Sequence, residues 1–310
     1  MTQDRPVLGI LLMLGFCVLA PMGDSIAKLL GQRLDVGILV TVRFAVQLII
    51  LTPIVLYTSQ SFVLHGRLLR LTTIRTFLHI VGIGLMFLSL KFLPLADAVA
   101  IAFVMPFIML LLGHFVLGEE VGHRRIIACC VGFIGTLFVI QPSFAEVGWP
   151  ALLPLGVAVD FALFILVTRQ IAKEIDPITL QATSGALATV ILVPLIIVAS
   201  SLQISGLQFQ MPQNSDWLLL MALGTLGTGA HLVMTWSLRF APASTLAPIQ
   251  YLEIPVAAFF GWLVFRDFPN GLALMGIAIT IGAGVYILLR ENAVSRKGSQ
   301  QPQQAPPAAE

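Results

Sequence analysis

The sequence predicts an all-α integral membrane protein, with ten transmembrane helices arranged as two inverted repeats of five helices each. The composition, the spacing of polar clusters and an internal repeat predict this fold. Of the 310 residues, 58% are hydrophobic and only 10% are charged, whereas soluble proteins average about 45–50% apolar and about 25% charged residues. This composition nearly excludes a soluble globular fold.

Polar and turn-forming clusters divide the chain into apolar segments close to the roughly 20 residues that a helix needs to cross a bilayer core. Ten such segments fit. The fifth is the shortest, and the sixth and the ninth contain Asp160 and Glu253, so hydropathy alone supports these three least. The predicted spans are 7–30, 36–57, 71–90, 95–117, 125–140, 150–171, 179–200, 217–238, 243–265 and 271–289.

The charge and the cysteines exclude several classes of function. With 17 basic and 15 acidic residues the net charge is +2, whereas a nucleic-acid-binding protein needs a clustered basic face. Cys17, Cys129 and Cys130 lie in apolar runs and have neither a CxxC pair nor the Cys/His spacing of a metal site. We therefore expect no metal, no cofactor and no nucleic-acid partner. The expected partners are a small-molecule substrate and membrane lipid, and the oligomeric state is open.

The two ends of the chain differ in character. The first apolar segment resembles the h-region of a signal peptide, but no A-x-A-like cleavage site follows it, so we expect a retained span. Residues 291–310 are polar and rich in Gln and Pro, which predicts a disordered cytoplasmic tail. The predicted domains are residues 1–142 for the first repeat and 143–290 for the second.

The Lys and Arg residues indicate the orientation, because short loops rich in these residues stay in the cytoplasm. With the N-terminus inside, only Lys28, Arg33, Lys91 and Arg266 fall outside, while Arg43 and Arg75 lie within spans. Both termini are therefore predicted to be cytoplasmic. The basic residues on the inside are Arg5, Arg67, Arg70, Arg124, Arg125, Arg169, Lys173, Arg239, Arg290, Arg296 and Lys297.

An internal repeat indicates that the chain consists of two related halves. The hexapeptide SLKFLP at 89–94 recurs as SLRFAP at 237–242, and the same offset continues without a gap. Because each half has five spans, the second enters the membrane upside down, an arrangement common among secondary transporters, whose substrate site lies at the repeat interface. A symmetric channel or scaffold is the alternative. The paired residues are Ile101 with Ile249, Gly113 with Gly261, Val116 with Val264, and Glu119 with Asp267.

Five motifs resemble the EamA branch of the drug/metabolite transporter superfamily: SLKFLPLADAVAI from Ser89, Pro106, LGE at 117–119, Arg124-Arg125, and VGFIG at 131–135. The resemblance implies a bacterial inner-membrane carrier with ten helices in two inverted repeats. Family substrates include amino acids, nucleotides, riboflavin and S-adenosylmethionine. The second repeat has Arg266-Asp267 where Gly-Glu is expected, so a symmetric role for the two loops does not follow.

Two acids in the middle of predicted spans are the first candidates for the substrate site, because ionisable residues in a membrane are costly and usually functional. Asp160 and Glu253 each lie roughly 15 Å from a span end at the helical rise. Two prolines flank Glu253 in PIQYLEIP and can kink the helix, which predicts a pocket lined by Gln250, Tyr251 and Glu253. Alternatively, Glu253 only holds helices together by a hydrogen bond. Burial disfavours the charged form of a carboxyl group, so proton coupling through either acid is a hypothesis.

A second group lies nearer the outer face. Asp24 and Lys28 are spaced four residues apart on the first span, and Arg43 lies at a similar depth in the second. One interpretation is a paired charge cluster that closes an outer gate; the other is capture of a substrate carboxylate or phosphate by Arg43 or Lys28. His79 is either a proton carrier or a structural hydrogen-bonding residue. The same alternatives apply to His231, for which the pattern supports a functional role less.

Arg75 is interpreted as an interfacial residue whose side chain reaches the headgroups. The glycines in GTLGTG at 224–229 lie within a span, so they indicate close helix packing rather than a phosphate loop. Several aromatic residues could stack on a ring-bearing substrate, for which riboflavin and an aromatic amino acid are the specific hypotheses: Phe92, Phe103, Phe161, Phe164, Trp236 and Tyr251.

A secondary carrier for a small metabolite is thus the predicted function. A lipid-modifying membrane enzyme is disfavoured, because the chain has no HExxH and no paired Asp motif. A passive channel is the remaining alternative.

Overall fold

The computed structural model describes residues 5–59, 64–118, 122–140, 148–266 and 271–298, and within these ranges the chain is all-helical. The predicted all-α class is therefore confirmed. The described helices are α1 (Pro6–Leu30), α2 (Val36–Tyr57), α3 (Gly66–Leu90), α4 (Leu95–Ala102), α5 (Met105–Leu117), α6 (His123–Ile140), α7 (Leu153–Ile171), α8 (Pro177–Ser201), α9 (Asn214–Phe240), α10 (Ala243–Gln250), α11 (Glu253–Phe265) and α12 (Gly271–Gly298), with a 3-10 turn at Trp149–Leu152 before α7.

Eight stretches of the described chain are long and apolar enough to cross a membrane. They are α1, α2, α3, α7, α8, α9, the pair α4–α5 and the pair α10–α11, which coincide with eight of the ten predicted spans. The fifth and tenth predicted spans contain shorter apolar stretches, Ile126–Gly135 in α6 and Leu274–Ala283 in α12. The protein is thus a multi-pass membrane protein.

Two of the predicted spans are broken in the middle. One break, at Phe103 and Val104, separates α4 from α5, and the other, at Tyr251 and Leu252, separates α10 from α11. A proline follows each break, at 106 and at 255. It removes the backbone donor that would bond four residues back and its ring clashes with that carbonyl. Phe103 and Tyr251 are separated by the same 148 residues as Ser89 and Ser237, so both breaks fall at one position of the internal repeat.

The second half of each broken span also ends alike. Gly118 after α5 has φ 65°, and Arg266 after α11 has φ 63°. These residues again occupy equivalent repeat positions. A left-handed conformation suits glycine and is strained for arginine. Because the two φ values are nearly equal, the backbone turn is the same in both halves, although the second half has arginine where the family pattern has glycine.

Helices of the first half pack mainly against helices of the second half. α1 packs along α9 and α3 along α7, while α2 pairs with α8 and α6 with α12. The broken spans contact each other, α4 against α11 and α5 against α10. Large apolar side chains such as Leu218 and Phe115, which are 77% and 78% exposed, cover outward faces, as expected of a surface that meets lipid.

The predicted tail begins as helix. α12 continues to Gly298, eight residues into the segment predicted to be disordered, and residues 299–310 lie outside the described residues. Glu119 and Asp267 of the repeat also lie outside them. The side chains of five predicted inside residues are likewise not described: Arg124, Arg125, Arg290, Arg296 and Lys297.

Candidate substrate-binding site

A cavity lies within the bundle, as part of a space of about 750 Å³ that is open to solvent on one side. Its wall residues come from α1, α2, α3, α4, α5, α7, α9 and α11. Most of them lie between the middle of their helices and the end at which α1 finishes, here called the Leu30 end. The opposite end is called the Pro6 end. Four phenylalanines supply much of the apolar wall: Phe16, Phe87, Phe103 and Phe161.

Polar groups in the wall are few and mostly charged. Asp24, Arg43, His231 and Glu253 line the cavity, and three of these are predicted site residues. The structure thus brings Glu253 together with Asp24 and Arg43, which the sequence assigned to two separate levels.

Glu253 is placed in the cavity by the break before α11. It is the first residue of that helix, where a carboxylate is favoured by the N-terminal backbone N–H groups. The equivalent residue of the first half, Met105, begins α5 and lines the same cavity. The two breaks therefore direct equivalent positions to one cavity, with an acid in one half and a thioether in the other.

Arg43 is buried, at 2% exposure, on the wall formed by α2. One terminal nitrogen, Nη2, lies 3.4 Å from Nε2 of His79, and the guanidinium centre lies 5.1 Å from the Phe44 ring centre. Its other face rests on α9 at Gly227, where a methyl group would lie 2.6 Å from the arginine Nε. Among the described residues, Nη1 has no hydrogen-bond partner.

His79 and His231 face each other beside Arg43, with their Nε2 atoms 3.3 Å apart. An arginine can only donate, so the contact with Arg43 requires His79 Nε2 to accept. That nitrogen has a single lone pair, which the contact with Arg43 uses, so His231 Nε2 makes only a close contact with it. The two rings lie 4.1 Å apart between centres and are enclosed by aromatic rings, with Phe44 and Phe164 around His79. His79 itself is fully buried behind the cavity wall.

Lys28 does not line the cavity with the other two members of the predicted outer cluster. Its Nζ donates to the Leu93 carbonyl at 2.6 Å and lies 5.2 Å from the Phe265 ring centre. The chain between α3 and α4 supplies this carbonyl. The cluster at the cavity is therefore Asp24 with Arg43.

The predicted pocket of Gln250, Tyr251 and Glu253 is divided. Gln250 and Tyr251 are fully buried outside the cavity wall, whereas Glu253 lines it. Tyr251 packs on Phe103, with ring centres 5.6 Å apart, and on α6 at Gly132. Successive helical residues point about 100° apart, so near neighbours in sequence need not share a face.

Asp160 lies behind the wall rather than in it. Its side chain is 8% exposed and packs against Gly82, a wall residue of α3. Its Oδ2 has no hydrogen-bond partner within the described ranges. Of the two central acids, therefore, only Glu253 lines the cavity.

The Pro6 end of the bundle is closed by polar contacts that the sequence analysis missed. Gln47 on α2 donates to the backbone carbonyl of Gln181 on α8 at 2.7 Å. Arg67 and Glu174 form an ion pair at 2.6 Å, and Arg169 donates to the Leu238 carbonyl of α9. Uncharged polar residues inside predicted spans, Gln47 and Gln181, are the signal that could have indicated the first of these contacts.

Arg75 belongs to this closed end, and its interpretation as an interfacial residue is wrong. It is fully buried. Its Nε donates to Thr168 Oγ1 and its Nη1 to Ser184 Oγ, both at 2.9 Å, and its guanidinium lies 4.6 Å from the Phe164 ring centre. The hydroxyl groups on α7 and α8 thus accept the hydrogen bonds that water would accept if Arg75 lay among the lipid headgroups.

The glycines of α9 allow the close helix packing that the sequence predicts. Gly224 meets Val46 and Gly227 meets Arg43, both on α2. Of the predicted aromatic residues, Phe103 and Phe161 line the cavity. Phe164 is buried in the core, and Phe92 is half-exposed beside Trp149.

Residues 7–141 and residues 148–290 each match the profile of the EamA-like transporter family. The chain belongs to this family. The two matches follow one another along the chain, as the predicted repeats do, and together they cover most of it. They confirm the resemblance based on the sequence motifs. The EamA family is described as one of transporters, which agrees with the prediction that the chain is not an enzyme.

Among relatives of this EamA chain is a protein named S-adenosylmethionine uptake transporter from Rickettsia felis. It is 28% identical over 286 residues, which cover 90% of this chain and 92% of that protein. A protein named riboflavin transporter from Vibrio cholerae is 26% identical over 258 residues, covering 83% and 84%. One solved crystal structure superposes with a TM-score of 0.71 at 17% identity, covering 93% of this chain and 98% of the other, which supports the fold.

Proposed function

We propose that the protein is a secondary carrier that moves a small organic metabolite across the bacterial inner membrane by alternating access. The cavity carries this proposal, because it combines a few charged groups with an apolar wall and is closed at the Pro6 end. The relatives named as S-adenosylmethionine and riboflavin transporters support a metabolite as the substrate.

The carrier has ten transmembrane helices, in two inverted repeats at 1–142 and 143–290. The pairing of α1 with α9 and of α3 with α7 supports this arrangement, because a two-fold axis that exchanges the halves would interconvert these pairs. The broken spans support it as well. Phe103 and Tyr251, at equivalent positions, contact each other, and discontinuous helices at a repeat interface are where secondary transporters bind their substrates.

Both termini are cytoplasmic in this proposal, so the Pro6 end faces the cytoplasm and the cavity belongs to an outward-facing conformation. The distribution of basic residues supports this orientation. Arg67, Arg70, Arg169 and Lys173 all lie at the closed end. Transport then requires the bonds of the closed end to break while the Leu30 end closes.

Within the site, Arg43, Asp24 and Glu253 contact the substrate, and His79 positions Arg43. Asp160 is assigned to coupling rather than to binding, because it lies behind the wall. Gln250 and Tyr251 are assigned to the hinge between α10 and α11, because both are buried beside the helix break.

Counterflow in proteoliposomes tests the carrier proposal. Vesicles loaded with an unlabelled compound receive the labelled compound outside, in a panel containing S-adenosylmethionine, riboflavin and aromatic amino acids. A carrier accumulates label transiently above the equilibrium level, whereas a channel only equilibrates it. Equilibration without overshoot would identify a channel, and failure with every compound would overturn the proposal.

Repeating the assay with a pH gradient in the parent, Glu253→Gln and Asp160→Asn proteins tests proton coupling.

A cross-link tests alternating access directly. The double variant Arg67→Cys with Glu174→Cys replaces the ion pair of the closed end with two thiols. Oxidation should abolish counterflow and reduction should restore it, because the Pro6 end can no longer open. The single Arg67→Cys variant, treated identically, controls for the native cysteines. Full transport by the oxidised, cross-linked protein would rule out opening at this end.

A further inference from the structure

The cavity holds a buried cation that has no carboxylate of the described residues within ion-pair distance. Arg43 contacts a neutral imidazole at 3.4 Å and an aromatic ring, and no carboxylate of the described residues forms an ion pair with it. A buried charge is stable only when it is paired and hydrogen-bonded. Since Nη1 also lacks a partner within the described chain, Arg43 has a donor available for a ligand in the cavity.

The surroundings of Arg43 hold its side chain in position. His79 accepts from Nη2, and His79 is fixed in turn by His231 and by the Phe44 and Phe164 rings. Gly227 supports the opposite face of the guanidinium. The cation is therefore held in place before a ligand arrives, which reduces the entropy lost on binding.

The acidic groups of the cavity are the carboxyl groups of Asp24 and Glu253. A ligand with only an anionic group would satisfy Arg43 but meet two carboxyl groups, and a ligand with only a cationic group would meet Arg43. A ligand that carries both kinds of charge complements all three residues.

The apolar wall adds a third requirement. Phe16 and Phe161 stack with ring centres 6.4 Å apart and an interplanar angle of 22°, and Phe87 and Phe103 line the same space. Aromatic faces favour flat rings and cations. Part of the ligand is therefore expected to be a ring.

We infer that the cavity binds a zwitterionic, ring-bearing metabolite, whose anionic group pairs with Arg43 and whose cationic group lies beside Asp24 and Glu253. This inference rests on the proposed carrier function and narrows its substrate class. S-adenosylmethionine has a carboxylate, two cationic groups and a purine ring, whereas riboflavin has a flat ring and no fixed charge. The cavity therefore matches the substrate in the name of the Rickettsia relative better than that of the Vibrio relative.

Calorimetric titration of the purified full-length protein in detergent tests the ligand class without any variant. The probes are S-adenosylmethionine, methylthioadenosine, which keeps the ring but lacks the amino-acid group, and riboflavin. S-adenosylmethionine should bind about tenfold or more tightly than the other two, the effect of a hydrogen bond to a charged group. Equal or tighter binding of methylthioadenosine or riboflavin would overturn the inference.

Variants of Arg43 test the assigned contact. Arg43→Gln should weaken binding of S-adenosylmethionine about tenfold and leave that of methylthioadenosine nearly unchanged, while Arg43→Lys should retain part of the affinity. Arg70→Gln removes an exposed arginine of α3 and should change neither. An equal loss for both ligands would indicate a structural role for Arg43 and contradict the assignment, and the parent titration still decides the ligand class if Arg43→Gln fails to fold.

The two proposals fail separately. Counterflow of riboflavin, with no binding of S-adenosylmethionine, would overturn the zwitterion inference and leave the carrier function intact. Counterflow of none of the compounds would overturn the carrier function and, with it, the inference.

Discussion

Arg43 and Arg75 lie on neighbouring helices, both buried, and their surroundings differ. Arg75 donates to two hydroxyl groups at 2.9 Å and stacks on Phe164. Arg43 has one hydrogen-bonding contact within the described residues, at 3.4 Å; it also lines a cavity and lies against a glycine. A buried charge in a membrane protein is therefore not by itself a mark of a binding site. The partners that the fold supplies decide whether the charge is structural or available to a ligand.

The same difference separates the two ends of the bundle. The Pro6 end is held by short contacts between the halves, such as Gln47 to Gln181 and Arg67 to Glu174. The cavity towards the Leu30 end brings Asp24, Arg43 and Glu253 together without ion pairs among the described residues. The closed end gains stability from its bonds, whereas the cavity retains groups for a substrate.

The largest expected effect is on stability at the closed end. Arg75→Ala should lower the free energy of unfolding by about 2–4 kcal/mol, because it removes two hydrogen bonds of a charged group and leaves a void in the core. Arg43→Ala should cost about 1 kcal/mol or less, since it loses one long contact beside an existing cavity. Thermal unfolding in detergent measures both. Equal destabilisation by the two variants would remove the distinction between the arginines.

A smaller effect, on ligand binding, is expected when a methyl group is added beside Arg43. Gly227→Ala places a carbon 2.6 Å from the arginine Nε, so the guanidinium must move and binding of S-adenosylmethionine should fall about tenfold. Gly229→Ala is the matched control, because its added carbon would lie 3.8 Å from Leu19, an ordinary contact. If both alanine variants bind like the parent protein, the position of Arg43 does not matter for the ligand.

The smallest effect is expected at His79, which acts through Arg43. His79→Phe keeps a ring between Phe44 and Phe164 but removes the acceptor for Arg43, and it should weaken S-adenosylmethionine binding about threefold to tenfold. His79→Gln can still accept and should bind more tightly than the phenylalanine variant. Titration with methylthioadenosine should show no change in either variant. A parallel loss for that neutral ligand would mean that His79 only supports the local packing.

Hydropathy and the repeat predicted much of the fold. The second predicted span has the same bounds as α2, and most other predicted ends lie within a few residues of the observed helices. The breaks at Phe103 and Tyr251 were predicted only in part, through the prolines beside Glu253. Apolar composition is continuous across each break, so hydropathy cannot detect it, while the proline effect depends on backbone bonds.

The site was predicted less completely than the fold. Asp24, Arg43 and Glu253 were singled out because charges are rare in spans, and they do line one cavity. Gln250 and Tyr251 were included for their nearness in sequence to Glu253 and lie elsewhere. Proximity along a helix says little about the direction of a side chain when the helix breaks between the residues.

The sequence by itself determined that the chain crosses a membrane many times, that it repeats internally and that a few charges lie deep inside it. These properties follow from local composition and spacing, which a bilayer restricts strongly. Only the tertiary structure decided which charges have partners. Hydroxyls on α7 and α8 reach Arg75, and a glycine on α9 leaves room for Arg43. Those contacts join residues far apart in the chain, and their energies depend on distances that no local pattern contains.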